Sequence, residues 1–226
     1  MFPIRDSVPS QTFPIVNILI IVTNTVIFVY EVSLGPELEA LFGSYGLIPT
    51  RFFQLLANHP SDVVNIGFPF FSSMFLHGGW AHFIGNMWFL WIFGDNVEDR
   101  MGHGRYIFFY LLMGIGAGAV HLAFNTDSSV PTIGASGAIS GVMGAYLMLY
   151  PGGRVTTYIP PFFFLAVPAF LFLILWMVLQ TFQGLASLGL PSSAGGVAWW
   201  AHIGGFVLGA VLVFVFRKRR PESTEI

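Results

Sequence analysis

The chain has 226 residues and a formal net charge of −2; hydrophobic residues make up 55% of it and charged residues 9%. A soluble domain carries about 25% charged residues, so this composition argues against a soluble protein and favours one embedded in lipid. The mean hydropathy of +0.74 agrees. The small net charge gives no reason to expect nucleic-acid binding. The absence of cysteine excludes disulfides, thiolate metal sites and cysteine nucleophiles, and we expect no cofactor.

Six apolar segments approach the roughly 20 residues that a helix needs to cross a hydrocarbon core. We therefore predict an all-α membrane protein, in which six transmembrane helices form one domain covering residues 1–216. A basic cytoplasmic tail follows at 217–226. The predicted spans lie at about 13–31, 75–96, 105–124, 136–151, 159–183 and 196–216.

The placement of basic residues predicts the orientation, because lysine and arginine accumulate on the cytoplasmic side of membrane proteins. If both termini are cytoplasmic, eight of the nine basic residues fall on that side and only Arg51 is left outside. We expect an integral, multi-pass protein of a prokaryotic plasma membrane.

The first outer loop, 32–73, is too long for a simple linker and carries apolar residues at helical spacings. We expect it to be partly helical and to lie in the membrane interface. The alternative is an exposed loop without a mechanistic role.

The fourth predicted helix is unusually short. From Ser136 to Tyr150 it has about 15 residues and a length of about 22 Å, which is less than the roughly 30 Å of a hydrocarbon core. The following sequence "YPGGR" fixes its cytoplasmic end, so its first residue should lie below the outer membrane surface. Irregular backbone at that depth is tolerated where it lines a wet cavity. We therefore expect Ser136 at the bottom of a water-filled pocket.

A histidine near the outer end of the sixth helix is the candidate partner of this serine. Glycines allow close approach between helix backbones, so docking Gly205 against Gly137 and Gly141 would bring His202 beside Ser136. A histidine within hydrogen-bond reach can take the serine proton and make the hydroxyl a nucleophile. The alternative is an interfacial histidine bonded to some other neighbour.

Two polar residues in the second helix suit a different role. His82 and Asn86 are four residues apart and share one helix face. Both can donate hydrogen bonds into a pocket, as an oxyanion site requires; alternatively, they form a polar clamp between helices. His77 lies on another face, and we assign it a supporting hydrogen-bond role.

No carboxylate falls near the predicted depth of the serine in the second to sixth spans, so the sequence favours a Ser-His dyad over a triad. Metal binding is the rival chemistry for histidines. His77 and His82 are five residues apart and badly placed to share one ion on a regular helix, so we expect no metal site.

Glu98 and Arg100 fall in the predicted short cytoplasmic loop between the second and third helices. We expect them to bond loop backbone or each other and to fix how those helices meet, which is structure rather than chemistry. A solvated run of charges is the alternative.

Three motifs, "GASG", "HxxxN" and "AHxxG", lie on the fourth, second and sixth predicted helices. In this order and spacing the chain resembles the rhomboid intramembrane serine proteases over about 68–210, and the expected fold is a rhomboid-like bundle. The resemblance implies Ser136 as nucleophile and His202 as general base and then acid. It implies an oxyanion site made by the backbone N–H of Ser136 with His82 and Asn86. Gly134, Gly137 and Gly205 are the supporting glycines of these motifs.

The resemblance also implies substrates that are transmembrane segments of other proteins, in contact with membrane lipid. In the family the fifth helix and the following loop are proposed as substrate gate and cap. The Phe-rich fifth helix and the loop "GLASLGLPSSAGG" of this chain fit that proposal.

Two positions depart from the family pattern. Phe68 and Pro69 stand where members often carry a Trp-Arg pair, so the anchoring of the first outer loop should differ. Ser140 stands where an aromatic residue often stacks on the base histidine, so His202 should be oriented by Trp199, Trp200 or a water. These departures leave open a catalytically inactive relative that binds transmembrane segments. The expected polar cavity leaves open a small solute transporter or channel.

Overall fold

The computed structural model describes residues 2–161, 163–188 and 197–218. Its long helices are α1 (Ile15–Ser33), α5 (Trp80–Met101), α6 (His103–Phe124), α7 (Ser136–Leu149), α8 (Ala169–Ser187) and α9 (Trp199–Phe216). Shorter helices are α2 (Leu38–Tyr45), α3 (Pro49–Asn58) and α4 (Val63–Ser72), and the strands are β1 (Phe2–Asp6), β2 (Arg154–Ile159) and β3 (Phe163–Pro168).

Within the described residues, four helices, α1, α6, α8 and α9, are long and apolar enough to cross a membrane by length and composition. Helix α5 is equally long, but its last two turns carry the charged residues Asp95, Glu98, Asp99 and Arg100. Helix α7 has 14 residues and a length of about 21 Å, as short as expected. The protein is thus mostly helical and membrane-embedded in character, and the count of six spans stays a prediction.

Helix α7 lies at the centre of the bundle. Its residues from Gly137 to Tyr146 are all buried, and α5, α6 and α9 surround it. The contact with α9 is made backbone to backbone. A Cβ on Gly205 would overlap the carbonyl oxygen of Gly137, and one on Gly209 would overlap that of Gly141. This glycine seam holds α7 and α9 in fixed register.

The fifth predicted span is wrong at its start. Residues 159–168, predicted as helix, include the end of β2 and the whole of β3, and α8 begins only at Ala169. The physical reason is local. The segments "RVTTYI" of β2 and "FFLAVP" of β3 contain β-branched and aromatic residues, which favour strands. The prolines at 160, 161 and 168 disfavour a continuous helix.

The three strands form an antiparallel sheet in the order β1-β2-β3, so the fold is not purely α-helical. The indole of Trp88 on α5 donates to the carbonyl of Pro3 at 2.6 Å, and the hydroxyl of Tyr146 on α7 donates to the carboxylate of Asp6 at 2.7 Å. Burial raises the pKa of the Asp6 carboxyl above its ordinary value, while the hydrogen bond from Tyr146 opposes that shift. The sheet therefore packs along the bundle rather than projecting from it.

The expected helices of the first outer loop are present as α2, α3 and α4. The guanidinium of Arg51 donates to the carbonyls of Gly43 and Gly46, which joins α3 to the end of α2. Leu47 pairs with Thr132 through two backbone hydrogen bonds of 3.0 and 2.9 Å. The loop is thereby fastened to the segment that leads into α7.

The second helix also begins later than expected, at Trp80 instead of 75, because Gly79 adopts φ +146° and interrupts the helical path. At its other end α5 continues to Met101, so Glu98 and Arg100 lie in its last turns and not in a loop. The carboxylate of Glu98 is fully buried and accepts from the backbone N–H groups of Val16 at 3.0 Å and Asn17 at 2.7 Å. Glu98 therefore caps the N-terminus of α1.

Two further contacts connect the end of α5 to other helices. His103 Nδ1 lies 2.5 Å from Glu98 Oε1, at the start of α6. The carbonyl of Arg100 accepts from the backbone N–H of Lys218 at 2.8 Å, after the end of α9. The end of α5 thus joins the ends of three other helices.

We expect Glu98→Ala to destabilise the protein by about 2 kcal/mol or more, because it leaves two buried helix-terminal N–H groups without an acceptor. Glu98→Gln keeps one acceptor oxygen and should lose less. The measurement is denaturant unfolding in detergent micelles, with Glu39→Gln, at an exposed position of α2, as the control. Equal stability of Glu98→Ala and the control variant would contradict the capping role.

Candidate active site

The turn before α7 sets the position of Ser136, which is the first residue of that helix. Gly134 adopts φ +122°, a conformation that other residues rarely take. A Cβ on Gly134 would also lie 2.6 Å from Nε2 of His82, so glycine is required there for two reasons. The N–H of Gly134 donates to the carbonyl of Ser73 at 2.8 Å. Ser136 therefore stands at a helix N-terminus, whose first N–H groups lack intrahelical partners.

The structure brings Ser136 and His202 together. His202 lies in the first turn of α9, is buried, and its Nε2 is 2.7 Å from the hydroxyl oxygen of Ser136. Gly137 and Gly205, on the two helices of the glycine seam, approach each other directly below this pair. The close backbone contact of α7 and α9 thus supplies the serine–histidine distance.

Gln180, which the sequence analysis did not single out, contacts this pair. Nδ1 of His202 lies 2.6 Å from Oε1 of Gln180 on α8, and both side chains are buried. In the sequence, the feature that points to Gln180 is an amide inside an apolar span, where polar groups are costly and usually paired or functional. Gln183, one turn further on, is exposed, so sequence alone offered two amides of equal weight.

Aromatic rings flank His202 from two directions. The ring centroid of Trp176 is 6.0 Å from that of His202, and the ring of Trp199 is 6.1 Å away in an edge-on arrangement. Of the two tryptophans expected to orient His202, Trp199 is therefore adjacent, whereas Trp200 stacks on Phe124 at 3.9 Å. The hydroxyl of Ser140 does not reach the histidine and donates to the carbonyl of Ser136 at 2.7 Å.

His82 and Asn86 project from one face of α5 toward the same place. The N–H of Gly78 donates to Nδ1 of His82 at 3.4 Å, so the ring proton belongs on Nε2, which faces Gly134. Within the described parts of the chain, Nδ2 of Asn86 is buried without a hydrogen-bond partner. Both positions thus offer donors beside Ser136, and that of Asn86 is unused.

These side chains line one cavity of about 350 Å³. Apolar residues from α5, α7 and α8, namely Phe89, Met143 and Trp176, make up much of its wall. The polar lining consists of His82, Asn86, Ser136, Ser140, Gln180 and His202. None of the described lining residues is a carboxylate, so His202 has an amide where a triad would have an acid.

His77 does not line this cavity. It is buried, its backbone N–H donates to the carboxylate of Glu31 on α1 at 3.1 and 3.2 Å, and its ring lies 5.3 Å from the ring of His82. Both nitrogens of its ring lack a hydrogen-bond partner among the described residues, so the supporting hydrogen bond expected of this side chain is not found. Glu98 and Arg100 lie at the far end of α5 and take no part in the site.

A sequence model described as the Rhomboid domain matches residues 66–219, about two thirds of the chain. The chain belongs to the rhomboid family. This rhomboid is 27% identical over 184 residues to Rhomboid protein 1, mitochondrial, of Saccharomyces cerevisiae. The aligned region covers 79% of this chain and 51% of that protein. It is 32% identical over 156 residues to RHOMBOID-like protein 6, mitochondrial, of Arabidopsis thaliana, covering 67% and 44%.

A third relative is bacterial. Over 79 residues the rhomboid is 40% identical to Rhomboid protease GluP of Bacillus subtilis. This alignment covers 35% of this chain and 15% of that protein. This chain spans about half the length or less of these curated relatives. Because two of these three relatives are mitochondrial by name, the comparisons do not support the expected prokaryotic plasma membrane.

Proposed function

We propose that this rhomboid is a serine endopeptidase that cleaves transmembrane segments of other membrane proteins by a Ser136–His202 dyad. The observation that carries the proposal is the 2.7 Å contact between Ser136 Oγ and His202 Nε2 at the cavity. As Oγ attacks the scissile carbonyl carbon, Nε2 accepts the hydroxyl proton. His202 then returns that proton to the leaving amine as the peptide bond breaks.

The donors around Ser136 suit the oxyanion that forms in this attack. The backbone N–H of Ser136 at the start of α7, Nδ2 of Asn86 and Nε2–H of His82 surround the same space. Fixed donors in a site of low dielectric stabilise developing charge more strongly than water does. Hydrolysis of the acyl-enzyme repeats the chemistry with water as nucleophile and His202 as base.

In the same proposal the chain is one domain of six spans, 1–216, with both termini cytoplasmic. Helix α7 begins below the outer surface, so water reaches Ser136 through the cavity while lipid surrounds the bundle. Substrates reach the site from the membrane, and no metal or cofactor takes part.

The direct test is labelling of the purified protein by a fluorophosphonate probe, followed by mapping of the modified peptide. We expect adducts on Ser136 and no adduct on other serines, because Ser136 is the described serine that has the base His202 in contact. His202→Ala keeps the hydroxyl but removes the base, so its labelling should fall to background. Absence of labelling in the wild-type protein, both in micelles and in liposomes, would contradict the proposal.

The non-catalytic alternative, binding of transmembrane segments without cleavage, is motivated by the departures from the family pattern at Phe68, Pro69 and Ser140. It predicts binding of a transmembrane peptide with no probe adduct and no product. The labelling experiment separates the two functions.

Asn86→Ala should lower kcat by about 10²- to 10³-fold, because one preorganised donor to the oxyanion is lost. KM should change little, since the donor acts mainly in the transition state. The measurement is steady-state cleavage of a fluorogenic transmembrane peptide in micelles. Asn65→Ala, at an exposed position of α4, is the matched control, and equal kcat in both variants would remove Asn86 from the oxyanion site.

A further inference from the structure

The amide of Gln180 defines which nitrogen of His202 carries the proton. Oε1 of Gln180 is a hydrogen-bond acceptor only and lies 2.6 Å from Nδ1. The ring proton of a neutral His202 must therefore be on Nδ1, which leaves the lone pair of Nε2 facing Ser136 Oγ at 2.7 Å. We propose that Gln180 is a positioning residue that holds His202 in the tautomer able to act as a base; this rests on the proposed function.

The need for such a residue follows from the site. Without an acceptor at Nδ1, the imidazole can carry its proton on Nε2 and donate to Ser136 Oγ, and a ring in that tautomer cannot take the hydroxyl proton. No described residue of the cavity lining offers a carboxylate in this position. An amide avoids the cost of burying a negative charge in an apolar bundle, while its carbonyl dipole still favours the protonated ring during the reaction.

The rival explanation is a structural clamp, because the same hydrogen bond joins α8 to α9. Substitutions at 180 separate the two roles when they are compared with the same substitutions at Gln183, which is exposed on the same helix. Gln180→Leu keeps the size of the side chain and removes the acceptor. Gln180→Glu keeps the acceptor and adds a charge.

We expect Gln180→Leu to lower kcat by at least about tenfold with little change in KM, the factor that corresponds to one net hydrogen bond. Gln180→Glu should retain activity at higher pH. The acid limb of its kcat profile should move to higher pH, because a carboxylate on Nδ1–H stabilises the protonated imidazole. Neither Gln183→Leu nor Gln183→Glu should change kcat or the pH profile.

Two outcomes would overturn the positioning role. One is a kcat of Gln180→Leu equal to that of Gln183→Leu, and the other is a pH profile of Gln180→Glu identical to the wild type. Unfolding of each variant in micelles, measured alongside, identifies a loss that is only structural. If the wild-type protein cleaves and these variants behave as controls, the positioning role fails while the proposed function stands.

A second, independent observation lies at the end of the bundle opposite Ser136. A cavity of about 1210 Å³ is lined by four cationic side chains, Arg100, Arg105, Arg217 and Lys218. Its remaining described lining is Leu149, Tyr150, Phe214 and Val215, and includes no carboxylate. The backbone N–H of Lys218 donates to the carbonyl of Arg100 at 2.8 Å, so the cations that follow α9 are held beside Arg100 of α5.

The chemistry of this cavity matches a phospholipid. The start of α6 lies beside it, and no described side chain caps that helix, so its N-terminal N–H groups add to the positive potential. The cations lie next to apolar residues of α7 and α9. A phospholipid has the same arrangement, with a charged head group next to apolar acyl chains. Basic pockets between helices on the cytoplasmic side recognise anionic head groups. We infer that the cavity binds the head group of an anionic phospholipid.

The test compares two double variants with the same loss of charge, Arg105→Gln/Arg217→Gln at the cavity and Arg5→Gln/Arg154→Gln at exposed positions of β1 and β2. The probe is phosphatidylglycerol retained by the full chain in native mass spectrometry, with phosphatidylcholine as the zwitterionic lipid. We expect the cavity variant to bind phosphatidylglycerol about thirtyfold more weakly, at about fivefold per cation, and the other variant to bind as wild type. Equal retention of both lipids, equal loss in both variants, or full competition by inorganic phosphate would overturn the inference.

Discussion

Ser136→Ala should abolish cleavage of a transmembrane reporter, with turnover at least about 10⁴-fold below wild type. The hydroxyl is the group that forms the covalent bond. The other hydroxyl of the described cavity lining, that of Ser140, donates to a backbone carbonyl. Without the nucleophile no oxyanion forms, so the hydrogen-bond donors of the oxyanion site have no charge to stabilise. Cleavage is measured in liposomes by the appearance of the two fragments, whose ends are identified by mass spectrometry.

Ser140→Ala is the matched control for this experiment. Its hydroxyl lies one turn away on α7 and donates only to a backbone carbonyl, that of Ser136, so the variant should retain most of the activity. Full cleavage by Ser136→Ala would end the proposed mechanism. Comparable loss in both variants would indicate damage to the start of α7 instead of removal of the nucleophile.

Gly209→Val should be among the most destabilising single substitutions in the bundle, with a loss of about 3 kcal/mol. The new Cβ would overlap the carbonyl oxygen of Gly141, and a helix backbone cannot move aside as a flexible side chain can. Separation of α7 from α9 would also lengthen the distance between Ser136 and His202. Stability is measured by denaturant titration in micelles, and activity in the same samples.

The control is Gly67→Ala on α4, where a Cβ would meet no atom within 4 Å. Alanine has the higher helix propensity, so this variant should be as stable as wild type or slightly more stable. A Gly209→Val protein of wild-type stability would show that the two helices tolerate a wider separation, and the glycine seam would not set the geometry of the site.

The candidate site could be predicted because its residues conflict with their surroundings. Ser136, His202, His82 and Asn86 are polar groups within apolar segments, and glycines beside them mark where backbones approach. Four such residues distributed over three helices are best accommodated where the helices share one polar cavity. The structure brings Ser136 and His202 into contact, with the other two on the same cavity.

The remaining features depend on contacts between distant parts of the chain. Glu98 looks like a member of a charged loop in sequence, and its partners, Val16 and Asn17, lie 82 and 81 residues away. Gln180 and Gln183 are equivalent until the rotation of α8 is known. Hydropathy alone also extends the fifth span back over β3, because an exposed strand such as "FFLAVP" is as apolar as a helix.

The sheet has a consequence for biosynthesis. Strand β1 leaves the ribosome about 150 residues before its partner, since Phe2 pairs with Tyr158 and Asp6 with Val155. Until β2 has been synthesised, the hydrogen-bonding edge of β1 has no partner strand in the nascent polypeptide. The side chains of Phe2 and Ile4 on this strand are exposed. We expect correct insertion to require that this edge be shielded during translation, and that an early-emerging strand left unshielded will favour aggregation.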